Sequence, residues 1–320
     1  MLLLITSGCT IAKNTASNTK KVLLSQVIEH PALNATTRGI IDGLEQHGYK
    51  RGVNLELRIE SAQANSALAA QIANKFVQQK PDVVVAVGTL SAQSFAKYAT
   101  NNKVKLVFAS VTDPVSANLV KDLQQPGNNT TGVSNFVPLE PQLQLFKKLQ
   151  PNLKNLGLMY NPGEINSVAI VKQLEVVCKT LGINVIKVAV PRTLDIPQAA
   201  TKLAGNCDAI FISNDNTMLS AIQSIIKAAN SKKIPVYVSD TDIVSSGALA
   251  AIGPNQYEIG KQAGAMVASV LDGADISKIA VQFPQQTNLY INLDAAKHCN
   301  IIISDKLRDS ATKIITAGKS

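Results

Sequence analysis

The sequence predicts an α/β fold with parallel sheets, arranged as two similar lobes. Three observations carry this. Val83-Val84-Val85-Ala86-Val87 is an unbroken apolar, mostly β-branched run, the mark of a strand buried on both faces under covering helices. Strand-like and helix-like segments alternate at a spacing that requires βαβ units. The alternation breaks once, in the turn-rich stretch from Gly127 to Pro138, and then starts again.

Taken in order, Lys21 to Ile28 reads as the first strand. Thr36 or Thr37 opens a helix that runs to about His47 and ends at Gly48. Val53 to Glu60 is a strand and Ser66 to Gln79 an amphipathic helix. The Val83–Val87 strand ends in Gly88, which allows a tight turn, and Thr89 or Ser91 caps the helix through Tyr98. Lys105 to Ala109 is a strand ending in Ser110-Val111-Thr112-Asp113-Pro114. In the second cycle Glu140 to Leu149 is a helix and Asn155 to Tyr160 a strand. The loop Asn161–Ser167 then leads into a helix to Leu181. Asn184 to Val188, Asp208 to Ile212, Pro235 to Val238 and Ala248 to Ile252 are strands. Helices lie over Ile196 to Ala204 and from Thr217 to Ala229.

With 320 residues, 46% of them hydrophobic and 17% charged, the chain has material for two globular domains. Trp is absent and aromatics are 4%, poor material for stacking many bases or sugars. The balance of 31 Lys and Arg against 22 Asp and Glu gives +9. The basic residues are scattered, so they read as a solvated surface, and no nucleic-acid partner is expected.

The N-terminus, Met-Leu-Leu-Leu-Ile-Thr-Ser7-Gly8-Cys9, resembles the end of a bacterial lipoprotein signal whose cysteine is lipidated. Its apolar run is short and has no basic residues before it, consistent with a start assigned downstream of the true one. Thr10 to Lys20 is a polar, flexible tether, and residues 1–20 read as signal remnant and tether. Attachment is expected through the lipid on Cys9 alone, since no other stretch has the length of a transmembrane helix. Cys178, Cys207 and Cys299 have no CxxC or Cys/His spacing; they read as buried free thiols, and no metal site is expected.

There is no GxGxxG, no GxxxxGK[ST], no GxSxG and no HExxH, so no cofactor is expected and no catalytic residue is assigned. His47 and His298 read as surface or structural residues. His30 follows the first strand and borders the expected cleft, but one histidine without a nearby nucleophile does not support acid–base chemistry. What the sequence does supply is polar residues after the strands: Thr89 and Ser91; Thr112 and Asp113; Asn161, Glu164 and Asn166; Asn214 and Asp215; and Asp240. Ligands of open parallel sheets sit outside the carboxyl ends of the strands. Two lobes facing each other at those ends form a cleft rich in Asn, Asp, Thr and Ser.

Several strings are similar to the ABC-transporter substrate-binding proteins of the tryptophan/tyrosine-binding type. In the first lobe they are Glu29-His30-Pro31-Ala32-Leu33-Asn34, Pro81-Asp82-Val83-Val84-Val85-Ala86, Val111-Thr112-Asp113-Pro114-Val115 and Asn129-Thr130-Thr131-Gly132-Val133-Ser134. In the second they are Leu158-Met159-Tyr160-Asn161-Pro162, Asn214-Asp215-Asn216 and Gly247–Gly253. The resemblance covers about residues 20 to 290. One departure is Thr89-Leu90-Ser91-Ala92-Gln93, where relatives often carry Thr-Pro-Ala-Ala-Gln. The resemblance implies a type I periplasmic binding protein: two Rossmann-like lobes joined by a three-crossover hinge near Ser134–Phe136, Gly253–Asn255 and Phe283–Gln286. The lobes are then 21–134 with 255–284, and 135–254 with 285–320. It further implies a small-molecule ligand, an aromatic amino acid first, and a membrane-embedded ABC permease with its ATPase as partners of an importer. The expected location is the periplasm or extracytoplasmic face, lipid-anchored to a bacterial membrane.

An amino acid suits such a cleft. Its carboxylate would meet the N–H groups from Thr89 to Ala92 at a helix start, with hydroxyls from Thr89, Ser91 or Thr112. Its ammonium would be accepted by Asp215, Asp240 or Glu164, and its ring would rest on Tyr160, Phe136 or Pro31. Asn135, at the first crossover, completes the expected lining. A sugar-responsive repressor of the same fold is rejected, because only about 20 residues precede the first strand and a helix-turn-helix needs roughly 50. A cleft enzyme lacks a positioned base and nucleophile. A binding protein for a nucleoside or a sugar is the remaining rival.

Overall fold

The computed structural model describes residues 19–316. Cys9 and the rest of the N-terminal signal lie outside the described residues. The first sheet contains β1 (Lys20–Gln26), β2 (Leu55–Ser61), β3 (Val83–Val87), β4 (Leu106–Ala109) and β5 (Thr130–Val133). Its strand order is β2-β1-β3-β4-β5, with every pairing parallel. Between the strands run α1 (Pro31–Gln46), α2 (Ser66–Gln78) and α3 (Thr89–Thr100). Each residue of β3 is fully buried, as a strand covered on both faces must be.

After β5 the chain builds α4 (Leu139–Leu149), β6 (Asn155–Tyr160), α5 (Ile165–Thr180), β7 (Asn184–Ala189) and α6 (Ile196–Ala204). Then come β8 (Ala209–Ile212), α7 (Asn216–Ser220), α8 (Ile222–Ser231), β9 (Val236–Val238) and β10 (Ala250–Gly253). Helix α9 (Gln256–Leu271) returns to the first sheet. The chain ends with β11 (Asn288–Asn292), α10 (Leu293–His298), α11 (Asp305–Asp309) and β12 (Lys313–Ile315). The second sheet has the order β12-β11-β10-β9-β8-β6-β7, and within it only β10 and β11 pair antiparallel.

The α/β class and its two parallel-strand sheets are as predicted; some boundaries moved. Helix α1 starts at Pro31, five residues before Thr36, because proline is pre-set for the first helical position and its missing N–H costs nothing there. The single helix expected after Asn216 is broken at Ala221 into α7 and α8. Helix α3 is entered from Gly88 at φ 89°, with no side-chain cap. A Cβ at Gly88 would lie 2.5 Å from Val27 Cγ1, so both the conformation and the space demand glycine.

Helix α9 packs on α1 backbone to backbone. Gly39 and Gly43 face Gly260 and Gly264, and a Cβ at Gly39 would stand 2.0 Å from the Tyr257 carbonyl oxygen. The Tyr257 hydroxyl donates to Asp42 at 2.7 Å, and the Tyr49 hydroxyl to Asp272 at 2.6 Å. Between the sheets the chain passes after β5, after β10 and before β11. The first and last passages run side by side: Ser134 N–H donates to the Gln282 carbonyl at 2.8 Å, beside a parallel bridge from Val133 to Gln282.

Candidate functional site

The carboxyl ends of β1, β3 and β4 face those of β6, β8 and β9 across a narrow cavity of about 10 Å3, the space of about one water. The first sheet's side contributes His30, Thr89, Ser110 and Thr112; the second contributes Asn166, Asn214, Asn216 and Asp240. Asn135 and Gln256 enter from the crossovers, and Ala32, Leu33 and Leu219 supply apolar wall. Asn166 also borders a larger adjoining recess of about 260 Å3, lined by Val27, Leu90, Ile165 and Pro191 together with Asn161 and Glu164.

Asp240 is the acid at the centre. It is 2% exposed. Gln256 Nε2 donates to Oδ1 at 2.5 Å, and Asn214 Nδ2 donates to both oxygens at 3.2 Å. Both donors are neutral amides, and among the described residues no ion pair includes this carboxylate. Burial, reinforced by the charge of Asp242, pushes its carboxyl up to about 7 against the pull of the two amides. Gln256 is fixed from the other side: its Oε1 accepts from Ser110 Oγ at 2.7 Å and Thr36 Oγ1 at 3.1 Å. Ser110 holds φ 55°, a left-handed conformation that places its hydroxyl in this chain of bonds.

Glu164 is saturated from within its own side of the cleft. Oε1 accepts from Thr217 N–H at 2.8 Å and Thr217 Oγ1 at 2.7 Å. Oε2 accepts from Asn216 N–H at 3.0 Å, Asn216 Nδ2 at 2.7 Å and Asn166 Nδ2 at 3.2 Å. Asp215 is turned away from the cavity. Its Oδ1 caps α7 through Met218 N–H at 2.8 Å; its Oδ2 accepts from Asn161 N–H at 2.6 Å and from Ser167 Oγ. With three donors and no exposure, it has no oxygen left for a ligand. Burial and the Glu164 charge raise its carboxyl above the usual range.

Of the residues expected at the site, His30, Thr89, Thr112, Asn135, Asn166, Asn214 and Asp240 border the cavity, and Asn161 and Glu164 border the recess. The rest are not brought there. Ser91 accepts a hydrogen bond from Ser25 at 3.2 Å and Ala92 lies in the first lobe's core. Asp113 binds its own turn through Ser116. Pro31 is exposed at the start of α1. Phe136 and Tyr160 pack on the second lobe's core. Thr89 does open α3, and its amide and those of Leu90 and Ser91 precede the first intrahelical bond, from Ala92 N–H to the Gly88 carbonyl at 3.1 Å. Sequence reasoning missed Ser110, Asn216, Gln256 and the apolar wall of Ala32, Leu33 and Leu219.

Histidine 30 is 5% exposed. Burial lowers its pKa to about 4, against the opposing influence of Asn216 and Glu164. Its Nε2 lies 3.4 Å from Asn216 Oδ1, a contact between the lobes, while its Nδ1 is buried without a partner.

The sequence profile of the ABC transporter substrate binding protein family matches residues 21–315. A tyrosine-binding protein of Clostridioides difficile (strain R20291) is 35% identical over 285 residues, 89% of this chain and 82% of the relative. Two solved structures are each 32% identical, and each comparison covers 93% of this chain and 100% of the other. One is an ABC domain in complex with L-Trp from Streptococcus pneumonia, at a TM-score of 0.89. The other is the ligand-free, open structure of a substrate binding protein with adhesive properties from Clostridium difficile, at 0.69. At equal identity, the present structure superposes better on the L-Trp complex than on the open structure.

Proposed function

This chain belongs to the ABC transporter substrate binding protein family, and on that premise we propose that its cavity captures an aromatic amino acid, tryptophan, tyrosine or phenylalanine, by closure of two lobes for an ABC importer. The observation that carries the reading is Asp240. A carboxylate buried between lobes and held only by neutral amides is costly until a cation joins it. A ligand ammonium supplies that cation, with three N–H donors and a full charge. The ligand carboxylate lies at the first turn of α3, where free N–H groups and the helix dipole favour an anion, assisted by Thr89 and Thr112. The ring lies against Leu33 and Leu219 or in the recess walled by Val27, Leu90, Ile165 and Pro191. The relatives' names, tyrosine-binding and complexed with L-Trp, support an aromatic side chain.

In this reading the lobes are 21–134 with 255–284, and 135–254 with 285–320. A ligand that touches both stabilises the closed arrangement through contacts absent from the open one. The protein is a binding component rather than an enzyme, works with a membrane permease and ATPase, and is held outside the cytoplasm by lipid on Cys9. Calorimetry with the twenty amino acids, a nucleoside set and a sugar set tests the ligand. Tight binding is expected for Trp, Tyr or Phe alone, and a carboxamide in place of the carboxylate should weaken it by roughly 2–5 kcal/mol. Preferential nucleoside or sugar binding would replace this reading with its rival. Palmitate labelling in a bacterium should mark the protein and be lost in Cys9→Ala; a label that survives the substitution refutes the anchor.

A further inference from the structure

A chain of three side chains determines which hydrogen-bonding role His30 plays. Both Glu164 oxygens already serve as acceptors for donors of fixed identity: Oε1 for the Thr217 N–H and hydroxyl, Oε2 for the Asn216 backbone N–H. The group of Asn216 that faces it at 2.7 Å must therefore be the amide NH2. This leaves the Asn216 carbonyl oxygen facing His30 Nε2 at 3.4 Å. An oxygen requires a donor, so the neutral imidazole carries its proton on Nε2, and Nδ1 is left with a bare lone pair. Nδ1 is buried, has no partner, and belongs to a ring that borders the cavity. Although His30 occupies the N-cap position of α1, its side chain makes no capping bond there, so helix capping does not use the lone pair.

We propose that His30 Nδ1 is an acceptor held open for a hydrogen-bond donor on the ligand, with its tautomer set by Glu164 through Asn216. His30 is then a specificity-determining residue: it rewards a ligand that places an N–H or O–H at that point and rejects one that leaves the buried nitrogen unpaired. Because the same ring reaches Asn216 in the other lobe, the acceptor is assembled as the lobes come together. Its low proton affinity, a consequence of burial, keeps the lone pair available near neutral pH. The proposal rests on the amino-acid reading for the ligand's identity, but not for the tautomer. The donor has two possible sources in an aromatic amino acid, the ammonium and the ring N–H or O–H.

Two measurements on the full chain test it. Nitrogen NMR of the ligand-free protein at pH 7, with His30 assigned by comparison with His30→Gln, should show Nε2 protonated and Nδ1 bare. In Glu164→Gln, whose amide can also donate, the Asn216 amide is no longer pinned and the other tautomer should appear. A proton on Nδ1 in the wild type, or a tautomer indifferent to Glu164→Gln, overturns the proposal without reference to any ligand. Calorimetry with L-Trp, L-Tyr and L-Phe then locates the donor. His30→Gln, which keeps a donor near Nε2 but has no acceptor at the Nδ1 position, should weaken binding roughly tenfold. Equal loss for all three assigns the ammonium; loss confined to Trp and Tyr assigns the ring. Unchanged affinity for all three, in a variant that melts as the wild type does, overturns the proposal. A wild type that binds none of the three while showing the expected tautomer sinks the aromatic reading and leaves the acceptor standing.

Discussion

Asp240→Asn should raise the stability of the ligand-free protein and lower its affinity for an amino acid. The folded carboxyl stands at about 7 against an ordinary 3.8. The folded state thus holds a proton more tightly than the unfolded one. The resulting penalty is absent below pH 3.8, grows as the pH rises, and is complete above about 7. At about 1.36 kcal/mol for each pH unit between those two values, the penalty reaches about 4 kcal/mol. Asparagine keeps the shape and removes the charge. Gln256, anchored by Thr36 and Ser110, still finds an oxygen at that position, and the Asn214 amide can rotate to meet the new NH2. Thermal unfolding at pH 8 should therefore show a gain of about 1–4 kcal/mol over the wild type, shrinking to little at pH 4. Calorimetry with L-Trp and L-Tyr should show a loss of about 2–4 kcal/mol, roughly 30- to 1,000-fold. The wild type carries the same signature in its pH profile: affinity falls by up to tenfold per unit as the pH drops below about 7, and Asp240→Asn removes that slope. Undiminished affinity in the variant, or a variant less stable than the wild type at pH 8, would refute the assignment of Asp240 as the ammonium's partner.

Two further substitutions probe the scaffold. Asp215→Asn should cost about 1–3 kcal/mol of stability, because its NH2 would face the donors Asn161 N–H and Ser167 Oγ, while calorimetry shows near-native affinity; a large affinity loss with native stability would return Asp215 to the ligand. Gly260→Ala should destabilise by roughly 1–3 kcal/mol or more in thermal or urea unfolding, since the added methyl would meet the Thr36 carbonyl oxygen at 2.1 Å; native stability would show that α1 and α9 can move apart freely.

The sheets were legible because their signal is local. Val83–Val87 is apolar at every position, and the segments around it alternate at a readable period. The facing strand ends then pointed to loops of which several border the cavity. Within a loop the sequence could not say which polar residue turns outward. Asp215 and Asp240 both follow buried strands, yet one caps a helix beneath it and the other faces the cavity. The difference lies in Asn161 and Ser167, which reach Asp215 from a separate loop and helix. Gln256 was illegible for a similar reason: its partners Thr36 and Ser110 stand 220 and 146 residues away. Ser110 was visible as a strand end, but its left-handed backbone leaves no trace in residue type, since serine rarely adopts it. The aromatic ring expected from Tyr160 or Phe136 gave way to aliphatic wall, because both rings are spent on the second core.

The glycine contact between α1 and α9 also bears on how the chain comes to exist in its native form. The first sheet's covering helix is made only after the whole second sheet's first five strands have been synthesised. Tyr257 finds Asp42 at a separation of 215 residues, and Asp272 finds Tyr49 at 223. Until residues 256–271 arrive, α1 exposes the flank that α9 will cover, and the amino-terminal half has no route to a complete core. Such long-range closure is slow by nature. On the proposed extracytoplasmic function the chain crosses a membrane before it works, and the delay is then useful: the leading half stays incomplete until nearly all of the chain has followed it. A circular permutant that begins near residue 255 would place α9 beside α1 in the chain and remove that delay.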